Sequence, residues 1–318
     1  MPNAAPDAAD RFTGDVARLI GHAPAARHGV AVSGGPDSMA LLYLAARAFP
    51  GRVEAATIDH GLRAEAAEEA AMVARWCADH AIPHATLKPA EPITGNLQSA
   101  ARAARYALLA EWRVARGIDW LMTAHHADDQ LETLLMRLNR GSGVGGLAGV
   151  RARSGHLLRP LLDWRRSELR TLAEGQGLPF ALDPSNGDPR FDRAALRRHL
   201  AGVEWLDPRA AVRSSAALAE AEEALAWMAA DIAGRAIAGD GECWSLTVPG
   251  IADMPRELRR RLLLHLLSAA DPTLPPPRGN TLDHALARID SGGKTSLGNW
   301  LLSGGPRWSA CRAPPRRA

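Results

Sequence analysis

The sequence predicts an α/β fold: a parallel, doubly wound sheet followed by a mainly helical C-terminal part that ends in short strands. Two observations carry this. Apolar runs at residues 30–32, 53–58, 84–87 and 120–123 alternate with helical patterns at 12–22, 39–46, 64–80, about 96–116 and 127–138. Strands separated by helices pair in parallel and carry helices on both faces. Polar residues follow the first, second and fourth strands directly, which is where open α/β sheets bind ligands.

Each element has its own signal. Phe12, Val16, Leu19 and Ile20 share one helical face. Val30-Ala31-Val32 runs into Ser33-Gly34-Gly35-Pro36-Asp37-Ser38, and a helix begins at Met39. This is strand, glycine turn, helix. Successive amides of such a turn form a concave anion site, and the helix adds its positive end. No Lys is present, so the P-loop of common NTPases is excluded here. Asp37 stands among phosphate donors, and a carboxylate there calls for a cation such as Mg²⁺. The plain alternative is an ordinary strand-to-helix turn.

The second strand ends in Asp59-His60-Gly61-Leu62-Arg63. Asn96 is an expected N-cap for a helix carrying Arg102, Arg105 and Tyr106. The fourth strand ends in Ala124-His125-His126-Ala127-Asp128-Asp129-Gln130-Leu131-Glu132-Thr133. Asp129 and Glu132 lie three apart on the following helix, so their carboxylates can converge with His125. Zinc lacks a third strong ligand here. Asp128 alone reads as a solvated acid favoured by the helix dipole. In a doubly wound sheet the three strand-end segments open on one crevice, and this convergence argues that each is functional.

Residues 139–149 are so rich in glycine that neither helix nor strand is expected, only a mobile loop. From Arg137 to Arg170 there are eight Arg and two acids, Asp163 and Glu168. A mobile basic stretch beside a nucleotide crevice points to a large anionic partner such as RNA. The net charge of +3 adds no argument of its own. A short strand at 157–162, a helix at 165–176, a turn at 183–186 and a basic helix from 190 to 199 complete a first domain, 1–205. The second, 206–318, holds a long Ala-rich helix at 208–238, a strand at 243–248, a helix at 256–267 with Arg259, Arg260 and Arg261 on its solvated side, a helix at 281–289 and strands at 295–302 and 308–311. Gly293-Lys294-Thr295 imitates a phosphate loop, but position 288 is Arg and the next residues read as extended. The tail at 314–317 is expected to be disordered.

Composition excludes several classes. With 47% hydrophobic and 23% charged residues the chain reads as globular. Cys77, Cys243 and Cys311 lie far apart in sequence, which argues against a zinc ribbon, a local iron–sulfur site or a disulfide framework. That fits a reducing cytoplasm. The acidic N-terminus is no signal peptide, and no stretch is expected to span a membrane.

The hexapeptide 33–38 resembles the pyrophosphatase loop of the N-type ATP pyrophosphatases, the PP-loop superfamily with its adenine nucleotide alpha hydrolase-like fold. Within it, residues 33–38, 59–63, Ala101-Arg102 through Arg105-Tyr106, 123–133, Arg140-Gly141-Ser142-Gly143, Arg159-Pro160-Leu161 and Asp183-Pro184-Ser185-Asn186 together look like the tRNA(Ile)-lysidine synthetases. At 190–193 that family often has Arg-Asn where this chain has Asp192. The resemblance implies a ligase. The 2-carbonyl oxygen of the wobble cytidine in a CAU-anticodon tRNA(Ile) attacks the α-phosphate of ATP, and pyrophosphate leaves. The ε-amine of free L-lysine then displaces AMP. It implies ATP and Mg²⁺ as cofactors, a cytoplasmic monomer or homodimer, and no membrane. Ser33, Gly34, Gly35, Pro36, Asp37, Ser38, Asp59 and His60 are the nucleotide-binding candidates. Asp37 and Asp129 are the metal candidates. Asp37, Asp129, Arg105, Glu132 and His125 are the catalytic ones, and His126 is an alternative to His125 as the proton acceptor. Arg137, Arg140, Arg151, Arg193 and Arg197 are the tRNA-binding candidates. A thiolating tRNA enzyme would need a cysteine pair near the crevice. An amide synthetase would not need the basic stretch. A simple binding module would not need the Asp129/Glu132 pair.

Overall fold

The computed structural model describes residues 7–23, 25–59, 65–89, 97–182, 192–277 and 279–313. The expected features at His60 to Arg63, Asn96, 183–186, Arg190 and the 314–317 tail lie outside these residues. The chain divides into two compact units, Met1–Ala219 and Glu220–Ala318. The division falls inside one long helix, whereas the sequence expectation of 205/206 precedes that helix.

The first unit opens with helix α1 (Ala8–Ile20), strand β1 (His28–Ala31) and helix α2 (Pro36–Ala48). Strand β2 (Val53–Ile58), helix α3 (Glu65–Asp79), strand β3 (His84–Leu87), helix α4 (Leu97–Ala115) and strand β4 (Trp120–Met122) follow. Next come helix α5 (Ala127–Asn139), a single turn α6 (Val144–Leu147), strands β5 (Arg153–Ser154) and β6 (Leu157–Leu158), helices α7 (Arg166–Gly175) and α8 (Asp192–Leu200), and the long α9 (Pro208–Ala236). The sheet order is β3-β2-β1-β4-β6-β5, parallel except for β5. The chain leaves β1 toward β2 on one side, and β4 lies on its other side. That reversal opens a crevice at the carboxyl ends of β1 and β4.

Alternation along β1 feeds both faces. His28 and Val30 join the core made with α1, α2, α3 and α7, where Phe12, Leu41, Leu44, Trp76, Trp164 and Leu169 are buried. Gly29 and Ala31 face α4, whose Leu109 and Trp112 pack with Ile118 and Leu121. Gly29 has no side chain for a reason: a Cβ would lie 2.7 Å from the Trp112 ring.

Residues 139–149 correct the expectation that neither helix nor strand forms there. They form the α6 turn and are fastened to α5. Arg137 donates to the Gly146 carbonyl and to that of Gly149 at 3.2 Å. The Gln130 carboxamide accepts from the Val150 amide at 2.8 Å. Gly149, at φ +67°, lies so close that a Cβ would stand 2.4 Å from the Gln130 amide nitrogen. Gly149 serves close approach, and so does Gly146, where a Cβ would stand 2.6 Å from Ser142 Cβ.

In the second unit, β7 (Ile237–Gly239), β8 (Cys243–Leu246), helices α10 (Arg256–Ala270) and α11 (Gly279–Asp290), β9 (Lys294–Leu297), β10 (Trp300–Ser303) and β11 (Trp308–Arg312) build an antiparallel sheet of order β7-β8-β11-β10-β9 covered by helices. Three sequence expectations change here. The single strand at 295–302 is a hairpin turning at Gly298, φ +57°. Cys243 and Cys311 stand opposite each other on β8 and β11 and form a disulfide. Arg259 and Arg261 are not a solvated side but partly buried, paired with Asp290 at 2.7 Å and Glu222 at 2.7 Å. Among the described residues no helix is long and apolar enough to cross a membrane.

His28 yields a test of the sheet's acid tolerance. It is fully buried against Phe49, and neither ring nitrogen has a partner among the described residues. Burial, then the nearby Arg52 cation, pushes its pKa down to about 4. Between that value and the ordinary 6.5 the unfolded chain binds the extra proton, so stability falls as pH falls through this window. Urea titrations should show a loss of up to about 3 kcal/mol from this group. His28→Phe should flatten that part of the curve, and an unchanged slope would exclude His28 as its source.

Candidate active site

The turn after β1 is shaped by its own side chains. Gly34 takes φ +84°, a conformation open to glycine but strained for other residues. A Cβ there would meet Glu69 Cβ at 3.4 Å. The Gly34 carbonyl accepts from the Ala181 amide at 2.9 Å. The buried Ser38 hydroxyl accepts from the Ser33 amide at 3.1 Å and the Ser33 hydroxyl at 3.2 Å, and it donates to the Gly35 carbonyl at 2.9 Å. Gly35 is the extended N-cap of α2, and Pro36 presets its first turn. Asp37 therefore heads a helix whose first amides point into the crevice.

The turn after β4 meets it. His126 is the N-cap of α5. Its Nδ1 accepts from the Asp129 amide at 3.3 Å, and the Asp129 carboxylate accepts from the His126 amide at 3.3 Å. This reciprocal cap leaves Nε2 facing Asp37 Oδ2 at 3.5 Å and Asp129 Oδ2 at 3.5 Å. The ring is only 2% exposed. Burial alone pushes its pKa down, but the bond to Asp37 and the charges of Asp129 and Asp37 outweigh that, and the net shift is upward. Its neighbour differs. His125 Nδ1 lies 3.0 Å from the Thr123 hydroxyl, and burial brings its pKa down to about 4, so it is neutral at pH 7.

The acids of α5 are compensated by arginines. Glu132 is buried, with Oε1 receiving Arg166 at 3.0 Å and Arg197 at 2.7 Å. Arg197 also reaches Asp129 Oδ1 at 3.5 Å, and Arg166 does so at 3.9 Å. Burial raises the Asp129 pKa, but His126, His125 and Arg166 more than reverse it, and the carboxyl stays below its usual range. Asp128 accepts from the Arg166 amide at 2.7 Å and pairs with Arg165 at 3.3 Å. It is part of this lattice, not the solvated acid the sequence implies. One oxygen of Asp37 and one of Glu132, Oδ1 and Oε2, are buried with no partner among the described residues.

The other sequence candidates divide. Ser33, Ser38, Thr123, His125 and Asp129 line the crevice together with Arg105 and Tyr106 of α4. Asp59, buried at the end of β2, pairs with Lys88 at 3.0 Å. His60 lies outside the described residues. Arg137 and Arg197 turn inward, to the α6 carbonyls and to Glu132. Arg193 donates to the Thr133 hydroxyl at 2.7 Å. Arg151 reaches the Ala148 carbonyl at 3.5 Å, and Arg140 is exposed. Burial and the cations of Arg151, Arg193 and Arg102 lower the Arg137 pKa. Among the described residues no three His, Cys, Asp or Glu side chains form a ready metal cage. Sequence reasoning missed the bridging place of His126 and the roles of Arg165, Arg166 and Asp128. The spacing His126-x-x-Asp129 was the available signal, since it is that of a capping box.

This turn, this crevice and this sheet order define a PP-loop protein, and a PP-loop domain model matches residues 9–204. A tRNA(Ile)-lysidine synthase from Zymomonas mobilis is 41% identical over 299 residues, 91% of this chain and 89% of that protein. One from Novosphingobium aromaticivorans is 42% identical, covering 98% and 95%. The chain belongs to the tRNA(Ile)-lysidine synthase family. The U34-tRNA thiolase NcsA from Methanococcus maripaludis is similar in fold, with a TM-score of 0.55 at 18% identity, over 66% of this chain and 78% of that one.

Gly34→Ala tests the turn. The left-handed backbone and the Glu69 contact should cost about 1–3 kcal/mol and weaken ATP binding. Wild-type stability and affinity together would mean that the turn does not need this conformation.

Proposed function

We infer that this chain ligates L-lysine to C2 of the wobble cytidine of CAU-anticodon tRNA(Ile), using ATP and releasing AMP and pyrophosphate. The observation that carries the reading is the meeting of the two strand-end turns through His126, Asp37 and Asp129. The amides heading α2 and the turn at 33–38 receive the pyrophosphate of ATP, whose charge grows as it leaves. Asp37 and Asp129 would hold Mg²⁺: Asp129 lines the crevice, and Asp37 Oδ1 is buried without a partner among the described residues. The ion would supply charge neutralisation to the phosphates. Arg105 lines the crevice wall, and its cation would offset charge developing on phosphate.

The second half-reaction needs a neutral amine from an ammonium. Asp129, which lines the crevice, is the acid that would meet the ammonium, while Glu132 behind it is held by Arg166 and Arg197. His125, neutral at pH 7, serves as a hydrogen-bonding partner for the reacting groups, not as a stored cation. His126 is the ring whose surroundings favour holding a proton. The Arg-rich stretch from Arg137 to Arg170, with eight Arg and two acids, favours a polyanionic partner. Thiolation is disfavoured: Cys77 is buried with its pKa pushed up to about 12, and Cys243 and Cys311 are bonded to each other.

The test is transfer of radiolabelled lysine to an unmodified tRNA(Ile) transcript bearing CAU, with ATP and Mg²⁺, and tRNA(Met) as control. Label on tRNA(Ile) alone is expected, and Asp37→Asn should cut it about 100-fold or more. No label on tRNA(Ile), or equal label on both tRNAs, would overturn the reading.

A further inference from the structure

The geometry points to Asp128 as a positioning residue that sets where Arg166 meets the acids of the reaction crevice. The inference deepens the reading above and rests on it. Three contacts join the start of α5 to the start of α7. The Ala127 amide donates to the Trp164 carbonyl at 2.8 Å. The Arg166 amide donates to Asp128 Oδ2 at 2.7 Å. The Arg165 guanidinium reaches the same carboxylate at 3.3 and 3.4 Å.

Asp128 therefore caps α7 from another helix. Arg165 is that helix's own N-cap residue, and no serine, threonine or asparagine stands there. Glu168 holds the Arg165 amide at 2.7 Å, which leaves the Arg166 amide to Asp128. The backbone of Arg166 is thus fixed one side chain away from Asp129. Its guanidinium then lies 3.0 Å from Glu132 and 3.9 Å from Asp129. The position of its Cα limits which acids the guanidinium can reach.

The frame behind α7 is stiff. The indole of Trp164 donates to buried Asp15 at 2.7 Å and lies under the Arg11 guanidinium, 3.9 Å from the ring centroid. Glu168 is gripped by Arg11 at 3.0 Å and by Arg209 at 2.7 Å. Asp128 is the point where this frame touches the helix that carries His126, Asp129 and Glu132. Its carboxylate is not among the groups that line the crevice; it stands 3.7 Å from His126 Nδ1 as well, and the double variant below separates that contact from the path through Arg166.

Four variants test this: Asp128→Ala, Asp128→Asn, Arg166→Met and the double Asp128→Ala/Arg166→Met. Calorimetric ATP affinity in the presence of Mg²⁺, the kcat and KM of lysine transfer, and the thermal midpoint are measured for each. Asn keeps an oxygen for the Arg166 amide. Asp128→Ala is expected to lose about 10-fold or more in affinity or kcat, as supporting residues of such sites do. Asp128→Asn should stay within about 3-fold of wild type, and the double variant should be no worse than Arg166→Met, because the two changes remove one arrangement. Should Asp128→Ala not fold, Asp128→Ser replaces it, its hydroxyl being too short to reach the Arg166 amide. Wild-type constants in Asp128→Ala, an Asn variant as impaired as Ala, or additive losses in the double variant would each overturn the inference. Wild-type protein that binds ATP but transfers no lysine would end the reading of the reaction, while the affinities would still decide the place of Asp128.

Discussion

The site depends on one imidazole held between two carboxylates. His126 closes the amino end of α5 through Nδ1 and faces Asp37 of α2 and Asp129 of its own helix through Nε2. The two acids belong to turns that follow neighbouring strands, β1 and β4. Two carboxylates aimed at one point repel. The Nε2 edge of the ring faces both at 3.5 Å, and an N–H there offsets that repulsion in the absence of a cation. The same approach is what a nucleotide with its metal ion needs.

The rest of the neighbourhood extends this charge balance. Burying Glu132 at 2% exposure is costly unless paired. Arg166 and Arg197 meet that need from two different helices. Their guanidinium groups also lie against Asp129. Burial pushes the pKa of that acid up, but His126 first, and Arg166 among others, hold it below the usual carboxylate range. The arginines of α7 and α8 therefore act on the crevice through the acids, whereas Arg105 stands at the crevice itself. Packing supplies the rigid base: Gly29 lets Trp112 lie flat on β1, and Trp164 fixes α7 to α1.

Much of this is legible in the chain. Strand-end polar residues and glycines declare the two turns, because an alternating βα pattern allows few topologies. The parallel sheet, the nucleotide turn and the Asp129/Glu132 helix follow from periodicity and spacing. What escaped has a common cause: it depends on partners distant in sequence. The glycines at 141–149 look like a linker until Gln130 and Arg137 are placed beside them. The intramolecular partners of Arg137 and Arg197, the α6 carbonyls and Glu132, likewise carry no signal in the sequence. Cys243 and Cys311 are 68 residues apart and meet only because β8 and β11 pair. Asp128 reads as a helix-dipole acid because its partner, a backbone amide of Arg166, carries no sequence signal.

The central claim is that His126 joins the two turns, beyond merely capping α5. Asn is a good helix cap but too short to span to Asp37, so His126→Asn separates the two roles. ATP affinity and the thermal midpoint should be measured together on this variant. The account predicts a midpoint near wild type with ATP binding weakened about 10-fold or more. A folded variant that binds ATP as tightly as wild type would contradict it, since the turns would then be held together without the imidazole.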